Sequence, residues 1–158
     1  MMVTLEKAVE MDASAIFRIQ VNAFMPLLEK YQDFNTNPAN ETIDRVVTRI
    51  NNPCGDFYKI LVDEILVGAI YIFWKEQTQF WISPMFILCK YQGQGLAQEA
   101  ITLVEKLFPH ATSWELATII EEKRNCYLYE KSGYIKTSKT KKINVNTTLG
   151  FYKKIMRN

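Results

Sequence analysis

Histidine is almost missing from this chain. His110 is the single one, and the three cysteines, Cys54, Cys89 and Cys126, are far apart with no CxxC spacing. That excludes a zinc site of clustered His and Cys and a dithiol redox motif, so no metal cofactor is expected. Long apolar runs are also missing. The longest, Ile65 to Trp74, has ten residues, whereas a membrane-spanning helix needs about 20, so no membrane partner is expected. The N-terminal MMVTLEKAVEMD lacks the basic, apolar, small-residue order of a secretion signal. A reducing, cytoplasmic setting is the default expectation. No Gly/Ser linker, internal repeat or low-complexity tract interrupts the 158 residues. The expectation is one domain, residues 1–158, long enough to fold without a disulfide staple.

Charge is unevenly spread. Through residue 122 there are 9 basic and 16 acidic side chains; after it there are 10 basic and one acidic. A basic C-terminal stretch can mark an anionic partner, but two solvated strands rich in lysine account for it as well. The acidic balance of the earlier part favours a cationic partner.

Hydrophobic periodicity places the elements. Val3 to Ala8 alternates as a first strand. A helix follows from Ala13 to Phe24, capped by Asp12, with Ile16, Ile19, Gln20 and Ala23 spaced by three and four. Met25 to Ala39, with Pro26 and Pro38, reads as irregular. Asn40 is placed to cap a second helix with Ile43, Val46, Val47 and Ile50 on one stripe. Phe57 to Val62 and Ile65 to Trp74 form a hairpin around Asp63-Glu64. Phe80 to Leu88 is a third strand of this meander, where Ser83-Pro84 predicts a bulge or an edge. A helix spans Leu96 to Phe108, with Ala97, Ala100, Ile101, Val104, Leu107 and Phe108 inward. Then come a strand from Trp114 to Ile119, a helix from Arg124 to Ser132 closed by Gly133, and strands from Tyr134 to Lys142 and Thr147 to Ile155. The class is mixed α/β (α+β), with helices on both faces of a sheet.

The most informative stretch is Gln92-Gly93-Gln94-Gly95-Leu96-Ala97, a tight glycine turn between strand and helix. Such a turn presents backbone N–H groups at a helix N-terminus, where the dipole favours anions. It is no P-loop, since Gly-Lys-Ser/Thr does not follow, and Gln98 stands where a dinucleotide fingerprint has its third glycine. The second stretch is Leu128-Tyr129-Glu130-Lys131-Ser132-Gly133-Tyr134.

Together these motifs resemble the GCN5-related N-acetyltransferase (GNAT) superfamily. The turn matches its Gln/Arg-x-x-Gly-x-Gly/Ala pattern, and the later block its Leu-Tyr-Glu-Lys-x-Gly-Phe/Tyr. The resemblance implies a twisted mixed sheet of about seven strands with about four helices, its fourth and fifth strands splayed for coenzyme A. It implies that the backbone of Phe86, Ile87 and Leu88 pairs with the pantetheine arm, and that Gln92, Gly93, Gln94, Gly95, Leu96 and Ala97 hold the pyrophosphate. Glutamine in place of the commoner arginine at position 92 removes a charge there. Tyr129 falls on the tyrosine that donates a proton or a hydrogen bond to the departing thiolate. Asn125 flanks or caps the same helix and reaches toward the cofactor. Glu122 stands seven residues before Tyr129, where the family often has Asn.

The implied activity is N-acetyl transfer from acetyl-CoA to a primary amine, of a small molecule or a protein, by direct attack in a ternary complex. The alternative is a non-catalytic sensor of coenzyme A or acyl-CoA. A base is harder to name. The fourth strand carries no carboxylate, and Glu76, Glu115, Glu121 and His110 read as surface residues. Cys89, beside the turn, reads as a small buried apolar cysteine rather than a nucleophile. Tyr31, Phe34, Trp74 and Trp81 are candidates for the acceptor pocket or for the core. Lys136, Lys139, Lys141, Lys142, Lys153, Lys154 and Arg157 form the basic stretch; a nucleic-acid partner ranks low beside the two motifs, and a homodimer stays open.

Overall fold

A computed structural model describes residues 2–157. The strongest alternation produces a meander of β1 (Val3–Lys7), β2 (Gly55–Val62), β3 (Ile65–Glu76) and β4 (Gln79–Ile87), all antiparallel. Asp63 and Glu64 turn the β2–β3 hairpin with φ of 49° and 70°, the left-handed pair that matches strand twist in a two-residue loop. The bulge expected at Ser83-Pro84 is present. Ile70 pairs with Met85 and Ile72 with Ile82, which leaves β4 one residue longer than its partner there.

The later elements are α3 (Leu96–Leu107), β5 (Ser113–Ile119), α4 (Lys123–Lys131), β6 (Ile135–Asn144) and β7 (Thr147–Ile155), following α1 (Ala13–Tyr31) and α2 (Ile43–Asn51). The seven strands form one open sheet in the order β1-β2-β3-β4-β5-β7-β6. Only the β4–β5 pair is parallel, and it is short: Gln79 to Trp81 pair with Ser113 to Glu115, and no further. Past Trp81 and Glu115 the two strands part, so the sheet splays in the middle. Two apolar clusters fill its faces. One packs α1 and α2 through Ile16, Ile19, Ala23 and Val46 onto Phe57, Ala69, Tyr71 and Phe86. The other packs α3 and α4 through Leu96, Ile101, Val104 and Cys126 onto Ile70, Phe80, Trp114 and Leu116. No helix among the described residues is long and apolar enough to cross a membrane.

Three local expectations are corrected. First, α1 does not stop at Phe24. It runs through Pro26 to Tyr31, so Met25 to Tyr31 is helical and only Gln32 to Asn37 is irregular before a 3-10 turn at Pro38–Asn40. A proline inside a helix costs about 3 kcal/mol, partly through its missing N–H. Here the carbonyl left without a partner, Asn22 O, accepts from the Cys89 thiol at 3.3 Å. The helix also buries Leu28 and Tyr31, each worth about 1.5–3 kcal/mol. Second, neither expected cap is made. Asp12 accepts from Val9 N and Lys59 Nζ, and Asn40 donates to Phe34 O. Third, α3 buries Leu96 at its start, while Leu107 is half-exposed at its end.

Candidate functional site

A cavity of about 640 Å³ occupies the gap where β4 and β5 part. Its walls are the carboxyl-terminal halves of those strands, the first turns of α3 and α4, and the second half of α1 with the loop beyond it. Phe86, Ile87, Gln92, Gly93, Gly95, Leu96, Ala97, Asn125 and Tyr129 all line it. Of the residues singled out in the sequence, Gln94 and Leu88 do not line it; Gln94 is exposed on the outer side of the turn.

The turn has the character of an anion cradle. Gly93 and Gly95 take φ of 79° and 80°, and a Cβ built on either meets no heavy atom within 4 Å. The backbone is therefore open to close approach from the cavity side. Among the described residues no acceptor takes the N–H of Gly93, Gln94, Gly95, Leu96, Ala97 or Gln98. Six free donors at the start of a twelve-residue helix suit a group with several anionic oxygens.

The Gln92 side chain has a different place from the expected one. Its Nε2 donates to Ile87 O at 2.9 Å and its Oε1 accepts from Arg124 at 3.3 Å. Gln92 thus pins the end of β4 to the turn, and the guanidinium of Arg124, from α4, brings to this corner the charge that position 92 lacks. Neither sequence motif marks Arg124 as a site residue. Its position in the first turn of α4, next to Asn125, was the available signal.

Strand geometry narrows the expectation for the β4 backbone. Leu88 N donates to Val67 O at 2.8 Å. In an antiparallel ladder, backbone groups alternate between the two neighbours, so Leu88 and Phe86 face β3. The edge toward the cavity therefore carries the backbone groups of Met85 and Ile87, with Ile87 O already held by Gln92. Of Phe86, Ile87 and Leu88, the three expected there, Ile87 alone keeps its backbone on the cavity edge, joined by Met85.

Along α4, Glu122, Asn125 and Tyr129 follow one another at helical spacing and all line the cavity. Asn125 lies within the first turn, and the cap position is Glu122, whose carbonyl accepts from Asn125 N. Tyr129 packs its ring 6.2 Å from that of Tyr152, and its hydroxyl has no hydrogen-bond partner among the described residues. Burial pushes this phenol up to about 12, with the nearby Cys126 thiol adding to the effect.

Glu76, Glu115, Glu121 and His110 are away from the cavity; the carboxylates on its wall are Asp33 and Glu122. Glu122 accepts from the Tyr31 hydroxyl at 2.9 Å and has Lys30 Nζ at 3.6 Å, which joins the end of α1 to the start of α4. Burial, then the bond to Glu122, raises the Tyr31 pKa. Cys89 is exposed, not buried, and its thiol and N–H both bond to Asn22 on α1. Tyr31, Phe34, Trp74 and Trp81 do not line the cavity. Trp74 packs on Phe80 and Phe108, Trp81 on Phe73 and Phe151, and Phe34 is exposed. Lys154 is held by Glu105 at 2.8 Å, while most of β6 is solvent-exposed. Among the described residues no three His, Cys, Asp or Glu side chains are grouped to hold a metal.

Comparison with known proteins follows the same outline. Residues 21–134 match the model of the acetyltransferase (GNAT) family. Similar solved structures include the ribosomal-protein-S18-alanine N-acetyltransferase of Escherichia coli (TM-score 0.79, 11% identity, covering 99% of this chain and 97% of that one). The PaiA N-acetyltransferase of Thermoplasma acidophilum, in complex with coenzyme A, has a TM-score of 0.75 at 11% identity over 99% of this chain and 100% of that one. The spermidine N-acetyltransferase of Vibrio cholerae, with coenzyme A and spermine, has a TM-score of 0.76 at 13% identity over 97% and 95%. At these identities the likeness is one of fold. No curated protein matches the chain significantly by sequence.

Proposed function

The chain belongs to the GNAT acetyltransferase family and is an acyltransferase, and we propose that it moves an acetyl group from acetyl-CoA to a primary amine within the β4–β5 cavity. The observation that carries this reading is the alignment of the split between β4 and β5 with the six unpaired N–H groups of the α3 turn. Similar structures hold coenzyme A. The donors here fit such a ligand: an anion cradle at Gly93 to Gln98, the charge of Arg124 beside it, and a free strand edge at Met85 and Ile87 for amide groups.

Acetyl-CoA supplies the activated thioester. The turn fixes its phosphate end through backbone donors, and Arg124 adds charge that Gln92 positions. The free N–H groups on the β4 edge orient the acyl arm and offer a donor to the carbonyl oxygen, where negative charge develops. Tyr129 donates a hydrogen bond from its hydroxyl to the departing sulfur. Holding both reactants in line supplies much of the acceleration. A lysine-like amine must first lose a proton, which at pH 7 costs about 4.6 kcal/mol against its pKa of about 10.4. The test is thiol release from acetyl-CoA across a panel of primary amines. Amine-dependent release supports transfer; binding of acetyl-CoA without release by any amine would mean a module that holds the thioester without using it.

A further inference from the structure

Asp33 and Glu105 are the two buried acidic residues among those described. Glu105 has Lys154 Nζ at 2.8 Å and the Tyr134 hydroxyl at 2.8 Å. Asp33 has no cation. Its carboxylate takes only the Asn37 Nδ2, at 3.1 and 3.4 Å, and no lysine or arginine nitrogen among the described residues lies within 4 Å. An ionised carboxylate buried without a counter-charge is costly. Asp33 also lines the cavity, at 5% exposure.

Its place along the cavity is set by α1. Asn22 holds Cys89 beside the phosphate turn. Tyr31 lies nine residues on, about 13–14 Å along the helix axis at 1.5 Å per residue, and Asp33 follows two residues later. Asp33 stands on the cavity wall just past the end of α1, and the one lysine nearby on the wall, Lys30, is turned to Glu122.

We infer that Asp33 binds a cationic group of the acceptor, and that this group is not the amine that reacts. A carboxylate beside the reacting amine would favour its charged form and oppose the deprotonation that attack requires. The preferred acceptors are then molecules with a second positive charge besides the primary amine that is acetylated. This inference rests on the acyl-transfer reading above and adds the acceptor class to it.

The experiment compares 1,3-diaminopropane through 1,6-diaminohexane with the monoamines of the same chain lengths, at saturating acetyl-CoA, for the wild-type protein and Asp33→Asn. Asparagine keeps an oxygen to accept from Asn37, and a melting curve checks the fold. The expected result is a KM at least tenfold lower for one or more diamines than for their monoamines. Asp33→Asn should raise that KM roughly 10- to 100-fold, as expected for a hydrogen bond between charged groups, while kcat and the monoamine KM stay within about twofold. Equal KM values for diamine and monoamine in the wild type, or a preference that survives Asp33→Asn, overturns the inference. Calorimetric binding of the diamines to the protein loaded with coenzyme A reads the same site without turnover. Loss of turnover with every amine counts against acyl transfer. Absence of diamine binding counts against Asp33.

Discussion

Removal of the Tyr129 hydroxyl separates two modes of help to the leaving group. Burial raises this phenol to about 12. A thiol of ordinary acidity has a pKa of about 8.5. Full transfer of the proton from Tyr129 to the departing sulfur would thus run uphill by about 3–4 pH units, on the order of 5 kcal/mol. Donating a hydrogen bond to the developing negative charge has no such penalty, and a bond to a charged group contributes about 1.5–3 kcal/mol. Tyr129→Phe is therefore expected to lower kcat by roughly 10- to 160-fold, short of the 10⁴ at the upper end of proton-transfer catalysis. The hydroxyl has no protein partner among the described residues, and phenylalanine keeps the packing on Tyr152, so the melting temperature should hold. The assay is steady-state thiol release with acetyl-CoA affinity measured in parallel. A kcat within twofold of wild type would remove Tyr129 from the leaving-group role. A loss beyond 10⁴-fold with affinity intact would mean that the proton itself is transferred and that the hydrogen-bond account is wrong.

Two further outcomes are expected. Arg124→Gln removes the charge beside Gln92 and should weaken acetyl-CoA binding by about 1–2 kcal/mol, five- to thirtyfold in Kd; an unchanged Kd in calorimetry at low salt would place Arg124 outside the phosphate corner. Stability should fall as pH rises above 10. Tyr58 and Tyr129 are pushed to about 12, and burial raises Tyr134 and Tyr152 further. Above pH 10 the unfolded tyrosines lose protons that the native ones retain, so the unfolded state binds fewer protons and gains relative to the native state. Each such tyrosine loses about 1.4 kcal/mol of stability per pH unit between 10 and its folded pKa, and a melting temperature flat from pH 9 to 11 would contradict this.

Much of the site was legible in the chain because its parts are local. The glycine turn, the Leu128–Tyr134 block and the alternating meander each carry their geometry in a few consecutive residues. The structure keeps all of them, along with the bulge at Ser83-Pro84. What stayed hidden depends on partners far apart in sequence. Pro26 reads as a helix stop because its missing bond is visible in the sequence, whereas the Cys89 thiol that replaces it lies 67 residues from Asn22. The Tyr31–Glu122 bond spans 91 residues and the Arg124–Gln92 bond 32. Asp33 is hidden in the sequence for a related reason. It falls in a stretch with no periodicity, and its burial follows from α1 continuing past the proline. That Met85 and Ile87, rather than Phe86 and Leu88, present their backbone to the cavity follows from the register against β3, which no pattern within β4 contains.

If the turn at Gly93 to Gln98 holds the anionic end of acetyl-CoA as proposed, calorimetric titration of acetyl-CoA separates wild type from Gly95→Glu. A side chain at Gly95 meets no heavy atom within 4 Å of its Cβ, so the variant should fold at the backbone cost of a non-glycine residue at positive φ, roughly 1–2 kcal/mol, while placing a negative charge in the cradle. Saturable binding to the wild type, lost in a folded Gly95→Glu, is the predicted result. No binding to a wild-type sample freed of copurified ligand, or equal binding to both proteins, would remove the turn from that role.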